Sequence, residues 1–317
     1  MIYAVWVPLL MPFLAVPAAR QLAELPAPRH AVRLLAATAL FLGVCSTAAL
    51  GLLVTAGALR LPPVAALGRL IRPPSGGGPL PVIAAVAAAT LIGVCVIALV
   101  RTVLRQRAEL HEARRLVGAA AHTGELAVLR DDGPDAYALP GRPGRIVVTT
   151  GMLQALDPAE REALFAHERA HLAGRHHLFL AVAELAALCH PALRGLRMPL
   201  GYALERCADE AAAGAVGDRS LAARAIGRAA LAAHDGVPAC RPSVVLAATA
   251  GPVPRRVAAL LTHRPTGVGK PGRQGHLARA VAGALLACLA LSAAGALDAA
   301  TDLHTGIEAA QGETGRH

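Results

Sequence analysis

Lysine is almost missing. The 317 residues hold one, Lys270, against thirty arginines, in a chain rich in Ala, Gly and Pro. That replacement is the mark of a GC-rich coding bias, so the net charge of +10 is no argument for nucleic-acid binding. Aromatic residues make up 3% of the chain, which removes the stacking platforms that hold single strands. Charged residues make up only 16%, where a soluble domain carries about a quarter. Cysteine is also sparse. None of Cys45, Cys95, Cys189, Cys207, Cys240 and Cys288 forms a Cys-x-x-Cys pair, and they read as small buried hydrophobes in a reducing compartment.

What is abundant is apolar: 55% of the residues, arranged in blocks. Uncharged runs cover 2–19, 34–59, 80–100 and 280–297. Each is close to the ~20 residues a helix needs to cross the hydrocarbon core. The first lacks a basic start and is interrupted by Pro8, Pro12 and Pro17, so it is expected as a retained helix rather than a cleaved signal. Basic residues orient the four spans. Arg20, Arg29, Arg33, Arg101, Arg105, Arg107, Arg114, Arg115, Arg264, Lys270, Arg273 and Arg279 fall on one side, and only Arg60, Arg69, Arg72 and Arg316 on the other. The positive-inside rule then puts the N-terminus outside, residues 101–279 in the cytoplasm and a short tail, 298–317, outside.

The cytoplasmic piece is long enough for one domain with its own core. It opens with a charged helix near 101–121. The stretch 145–150, "RIVVTT", is β-branched and bounded by glycine, as a strand would be. From Asp157 onward the pattern is helical. Residues 73–79, "PPSGGGP", form a loop, and 178–189 is an apolar helix too short to span, buried or apposed to the membrane.

The helix that begins at Asp157 carries the chemistry. Asp157 is an N-cap, Pro158 suits the first turn and Glu160 completes the spacing of a capping box. His167 and His171 are at i and i+4, so both imidazoles leave one face. Two neutral imidazoles so placed can bind one zinc ion, and Glu168 can reach the water that such an ion activates. With 13 histidines in the chain, chance gives about 0.02 occurrences of this pattern. Catalytic zinc takes three protein ligands, and "GYALERCADEAAAG", 201–214, offers the third. Glu205 and Asp209 are one turn apart on one face, beside Ala208 and Ala212, which let helices approach. Glu205 could coordinate the ion, and Asp209 could hold the far nitrogen of a ligating histidine. His176 and His177 read as solvated loop histidines.

His-Glu-x-x-His followed some thirty residues later by Glu-x-x-x-Asp resembles the membrane-bound gluzincins: the BlaR/MecR-type zinc metallopeptidases and the related HtpX and CAAX-prenyl endopeptidases. "DAYALPGRPGRIVVTTGML", "CHP" at 189–191 and three spans before the domain with one after it add to the likeness. The tail holds no penicillin-binding sensor, so β-lactam sensing does not carry over. The resemblance implies a multi-pass α-helical membrane protein with an α+β zincin domain between the third and fourth transmembrane helices. It implies one Zn2+ per chain held by His167, His171 and Glu205, with Glu168 as general base and acid and Asp209 as support. The implied activity is hydrolysis of peptide bonds in cytoplasmic or membrane-near proteins, regulatory or HtpX-like in its purpose. The alternative is a membrane signalling or scaffold protein with a vestigial zinc site. The partners are a protein or peptide substrate and membrane lipid, with no nucleic acid. Strand residues Ile146, Val147, Val148 and Thr149 are expected to offer a sheet edge on which the substrate lies extended, and Tyr202 is the candidate oxyanion stabiliser.

Overall fold

The computed structural model describes residues 4–23, 28–67, 79–119, 121–235, 252–262 and 273–311. Arg69, Arg72, Cys240, Arg264, Lys270, Arg316 and the loop at 73–78 lie outside them.

Among the described residues, three helices are long and apolar enough to cross a membrane: α2 (Pro28–Ala58), α4 (Leu80–Ala119) and α11 (Arg273–Gln311). The run expected as a first span forms α1 (Trp6–Leu22), which at 17 residues falls short of them. Pro12 and Pro17 lie inside α1. Pro12 has no N–H to donate to the carbonyl of Pro8, and the Ser46 hydroxyl of α2 donates to it instead at 3.0 Å. One face of α4 is exposed and apolar along Leu80, Ile83, Val86, Leu91, Val94 and Ile97. In water such a face would be a liability, and in lipid it is the solvated surface. These helices mark a membrane protein. They outrun their uncharged stretches: α4 passes through Arg101 without a break and continues to Ala119, and α11 continues through Asp298 and Asp302. The expected boundary at 100/101 and the start of the expected tail at 298 therefore fall inside helices.

Four short strands follow α4: β1 (Ala121–Thr123), β2 (Leu126–Leu129), β3 (Ala136–Leu139) and β4 (Arg145–Thr149). Their order is β1-β2-β4-β3, with β2 and β4 parallel and the other pairs antiparallel. Both faces are covered. Ala127, Tyr137, Leu139 and Val147 pack on Ala113 and Val117 of α4. Ala136 and Val148 pack on the other side, against α5 (Thr150–Ala155), α6 (Pro158–Ala173) and α9 (Arg219–Asp235). A strand buried on both faces reads as an unbroken β-branched run, which is what made 145–150 visible in the sequence. Its place in the sheet was not visible. β4 is an interior strand hydrogen-bonded on both sides, so Ile146, Val147, Val148 and Thr149 have no free edge for a substrate; the expectation of a binding edge there is corrected. The edge beside α6 belongs to β3.

The remaining described helices are α3 (Pro62–Leu67), α7 (His176–Cys189), a 3₁₀ turn at Pro191–Leu196, α8 (Arg197–Val216) and α10 (Val253–Thr262). The largest core joins α7 and α8 to α1, α2 and α11 through residues such as Leu35, Leu42, Ala183, Leu200, Leu204 and Leu285. The C-terminal end of α7 reaches the apolar middle of two candidate spans. Cys95 of α4 donates its thiol to the Leu188 carbonyl at 3.1 Å, and Gly43 of α2 packs against Ala186. The five described cysteines are free thiols.

Candidate metal centre

Helix α6 is fixed at its start by local chemistry. The Asp157 carboxylate accepts from the Glu160 N–H at 2.9 Å, and the Glu160 carboxylate accepts from the Asp157 N–H at 3.1 Å. This is the capping box read from the sequence. Glu160 is buried and also pairs with Arg228 of α9 at 2.8 Å, which pins the helix against the second layer. With that end fixed, His167, Glu168 and His171 all point into the protein and are buried. Helix α8 crosses close by, its small Ala208 and Ala212 fully buried, and presents Glu205 and Asp209.

The two imidazole Nε2 atoms and both oxygens of one carboxylate converge. Nε2 of His167 lies 3.1 Å from Nε2 of His171 and 3.4 Å from Oε2 of Glu205. Nε2 of His171 lies 3.6 Å from Oε1 of Glu205. Contacts of 3.4 and 3.6 Å are long for hydrogen bonds. They are near the separation of about 3.3 Å that ligand bonds of about 2.0–2.1 Å would set between neighbouring donors. The three residues could therefore hold one metal ion, and their donor set of two imidazoles and a carboxylate fits such a site.

Each ligand is backed by a second residue. Nδ1 of His167 sits 3.1 Å from Oδ1 of Asp209. Nδ1 of His171 sits 2.7 Å from Nδ1 of His176. Arg256 of α10 is wholly buried. Its Nε and Nη2 donate to the two Asp209 oxygens at 2.8 and 2.6 Å, and its Nη1 lies 2.8 Å from Oε2 of Glu205. Two carboxyl groups, Glu205 and Asp209, thus hold one guanidinium, and a third, Glu168, is near enough for its charge to be felt there. Ionised, the three leave two negative charges, the amount a divalent cation neutralises.

Proton affinities follow this layout. Burial would lower the pKa of His167, but hydrogen bonds to Asp209 and Glu205, and their charges, outweigh it and raise the value to about 9. Burial and the nearby positive groups His167, His176 and Arg256 hold His171 well below the usual range. His176 is lowered to about 4, mainly by burial. For Asp209, burial is overcome by Arg256, and the carboxyl is held below its ordinary value.

The structure brings together His167, His171, Glu205 and Asp209, with Glu168 on the same buried stretch. It places Tyr202 elsewhere: its ring belongs to the apolar cluster of α1, α2, α7 and α8, with the Arg206 guanidinium 6.0 Å from its centre. Two supporting residues were not legible. Arg256 lies 47 positions from Asp209, and no local pattern marks it. His176, expected in solvent, is buried because the chain turns sharply after α6. Arg175 adopts a left-handed conformation with φ 50°, and α6 and α7 meet at 58°, which folds His176 back onto His171. A histidine placed just after a helix-ending glycine was the one available signal.

Two histidines of one helix and a carboxylate of the helix that crosses it form a buried group that could hold a metal ion, in a protein with helices apolar enough for a membrane. The family model Peptidase family M48 matches residues 104–195, which supports a metallopeptidase of that family without reaching the BlaR/MecR type. That stretch contains His167, Glu168 and His171 and ends before Glu205, Asp209 and Arg256. No curated protein and no solved structure matches the chain.

Proposed function

We propose that this protein is an integral-membrane zinc endopeptidase acting on cytoplasmic or membrane-near proteins. The observation that carries the proposal is the convergence of the His167 and His171 Nε2 atoms on the Glu205 carboxylate, with Glu168 beside them. Bound zinc would polarise the scissile carbonyl and acidify the attacking water. The chain's own residues do the rest. Glu168 accepts the proton of that water and returns it to the leaving amine nitrogen. Asp209 keeps the proton of His167 on Nδ1, leaving Nε2 bare for the metal. Arg256 holds Asp209 and Glu205 in register. A substrate would lie extended along the β3 edge, where main-chain pairing binds with little sequence preference. The arginine distribution supports a cytoplasmic location for residues 101–279.

The test is Glu168→Gln in the full-length protein. Zinc content should stay at one per chain while cleavage of an unfolded protein substrate is lost. Cleavage that survives the substitution refutes the role of Glu168. A zinc-replete wild type that cuts nothing points to a vestigial site.

A further inference from the structure

Beyond His171, where α6 ends, the surface opens into a cleft of about 870 Å³. Its walls come from the end of α4, the β3–β4 turn and the α6–α7 corner. Four arginines line it, Arg114, Arg142, Arg145 and Arg175, together with His177, and none of the lining residues is acidic.

Several arginines elsewhere face carboxylates: Arg256 with Asp209, Arg228 with Glu160, Arg219 with Glu210, Arg197 with Glu184 and Arg169 with Glu125. Among the described residues, none of the four cleft arginines does. Arg114 spends Nε and Nη2 on the Pro140 carbonyl, at 3.2 and 2.9 Å, which fixes it across the cleft. Nη1 of Arg145 is buried and has no hydrogen-bond partner, and an unmade bond to a buried charged donor is costly. Burial, Arg175 and Arg114 all lower the pKa of His177, as a positive potential would. The cleft also adjoins the metal centre. Leu172, the residue after His171 on α6, lines the cleft, and Arg175 follows just past the glycine that ends the helix. The turn that carries Arg175 into the cleft is the one that returns His176 to His171. An extended chain advances about 3.3 Å per residue, so a peptide lying on β3 and crossing the centre would enter the cleft within two or three residues.

We propose that this cleft is a carboxylate-binding subsite. It selects substrates with an acidic side chain, or a free C-terminal carboxylate, two or three residues from the scissile bond. Paired guanidinium groups recognise a carboxylate by charge and by bidentate geometry. The inference rests on the peptidase reading above.

The experiment uses the zinc-loaded full-length protein in neutral detergent and a peptide library, with cut sites read by mass spectrometry. Asp and Glu should be enriched two or three positions from the cut, on one side only. Enrichment of free C-termini in place of acidic side chains identifies the terminal carboxylate as the group bound. A reporter peptide with Glu at that position should be cleaved with kcat/KM about tenfold above its Gln twin. Arg142→Glu and Arg175→Glu, both at exposed side chains, should bring that ratio to unity or invert it in favour of a Lys twin. Cleavage by the wild type with no acidic preference overturns the subsite and leaves the peptidase reading intact. Should the wild type cleave nothing, the peptidase reading fails, and binding decides the subsite separately. Rhodamine-labelled Glu and Gln twins are titrated onto zinc-loaded Glu168→Gln, and equal affinities overturn the proposal. Glu-twin binding that survives in phosphatidylcholine nanodiscs but is abolished by phosphatidylglycerol assigns the arginines to a lipid phosphate, and also overturns it.

Discussion

Gly174→Ala separates metal binding from fold stability. Gly174 ends α6 with φ −76° and ψ −7°, a conformation alanine adopts without strain, so the backbone gives no reason for glycine. The reason is His176. A Cβ on residue 174 would lie 2.4 Å from Nε2 and 2.6 Å from Cδ2 of that imidazole, and 3.0 Å from the Ala170 carbonyl oxygen. Ordinary contact begins near 3.4 Å, so the ring has to retreat by about 1 Å, and a 2.7 Å contact to His171 Nδ1 stretched that far is no longer a hydrogen bond. Loss of the outer partner of a ligating histidine costs about 10–100-fold in metal affinity, or roughly 1.4–2.8 kcal/mol. Stability of the zinc-free protein should change little, because the loss of one buried hydrogen bond, about 1 kcal/mol net, is offset by about as much from the lower backbone entropy of alanine in the unfolded chain. The assay is zinc competition against a chromophoric chelator, run on wild type, Gly174→Ala, His176→Ala and the double variant, with thermal unfolding of each zinc-free form. In the His176→Ala background the alanine should cost nothing. An equal loss of affinity in both backgrounds, or no loss in either, refutes the reasoning.

Zinc affinity should rise with pH. His167 carries a proton in the zinc-free protein up to about pH 9, and its Nε2 has to be bare to bind. Log affinity should therefore climb by up to about one per pH unit from pH 7 and level off near 9, as read by competition titration. Conversely, because the folded pKa is raised, the zinc-free fold holds its full stabilisation from His167 below the unfolded value of about 6.5 and loses it as pH climbs through 9. Flat affinity between pH 7 and 8.5 argues against the Asp209–Glu205 environment described for His167. Arg256→Met should destabilise the zinc-free protein by about 3–5 kcal/mol, since it strands Asp209 and Glu205 in the interior. Saturating zinc should recover part of that loss, and chemical denaturation with and without zinc measures the difference. Identical losses in the two forms would mean that the carboxylates do not share the charge balance with the metal.

What could be read from the sequence was set by how far each feature reaches along the chain. The cap at Asp157, the His167/His171 face and the Glu205/Asp209 face depend on residues three to five apart, and helix geometry turns such spacing directly into position. The apolar runs of α2, α4 and α11 are equally local, but they mark hydrocarbon thickness rather than helix length. Helices extend past Arg101 and Asp298 because their charged residues are solvated once they reach the polar region and nothing there, such as a proline, ends the helix. Strand order has no local signature. β2 and β4 pair in parallel with β3 on the far side of β4, and nothing inside "RIVVTT" distinguishes an interior strand from an edge. Arg256 and His176 show the same limit from the side of the metal. The carboxylates that invite a divalent cation cannot be buried by the ligand helices alone, so their counter-charge comes from α10 and one histidine's support from beyond a left-handed turn. Motif spacing identified the atoms that would touch the metal, while the groups that set their charge and orientation are supplied by the fold.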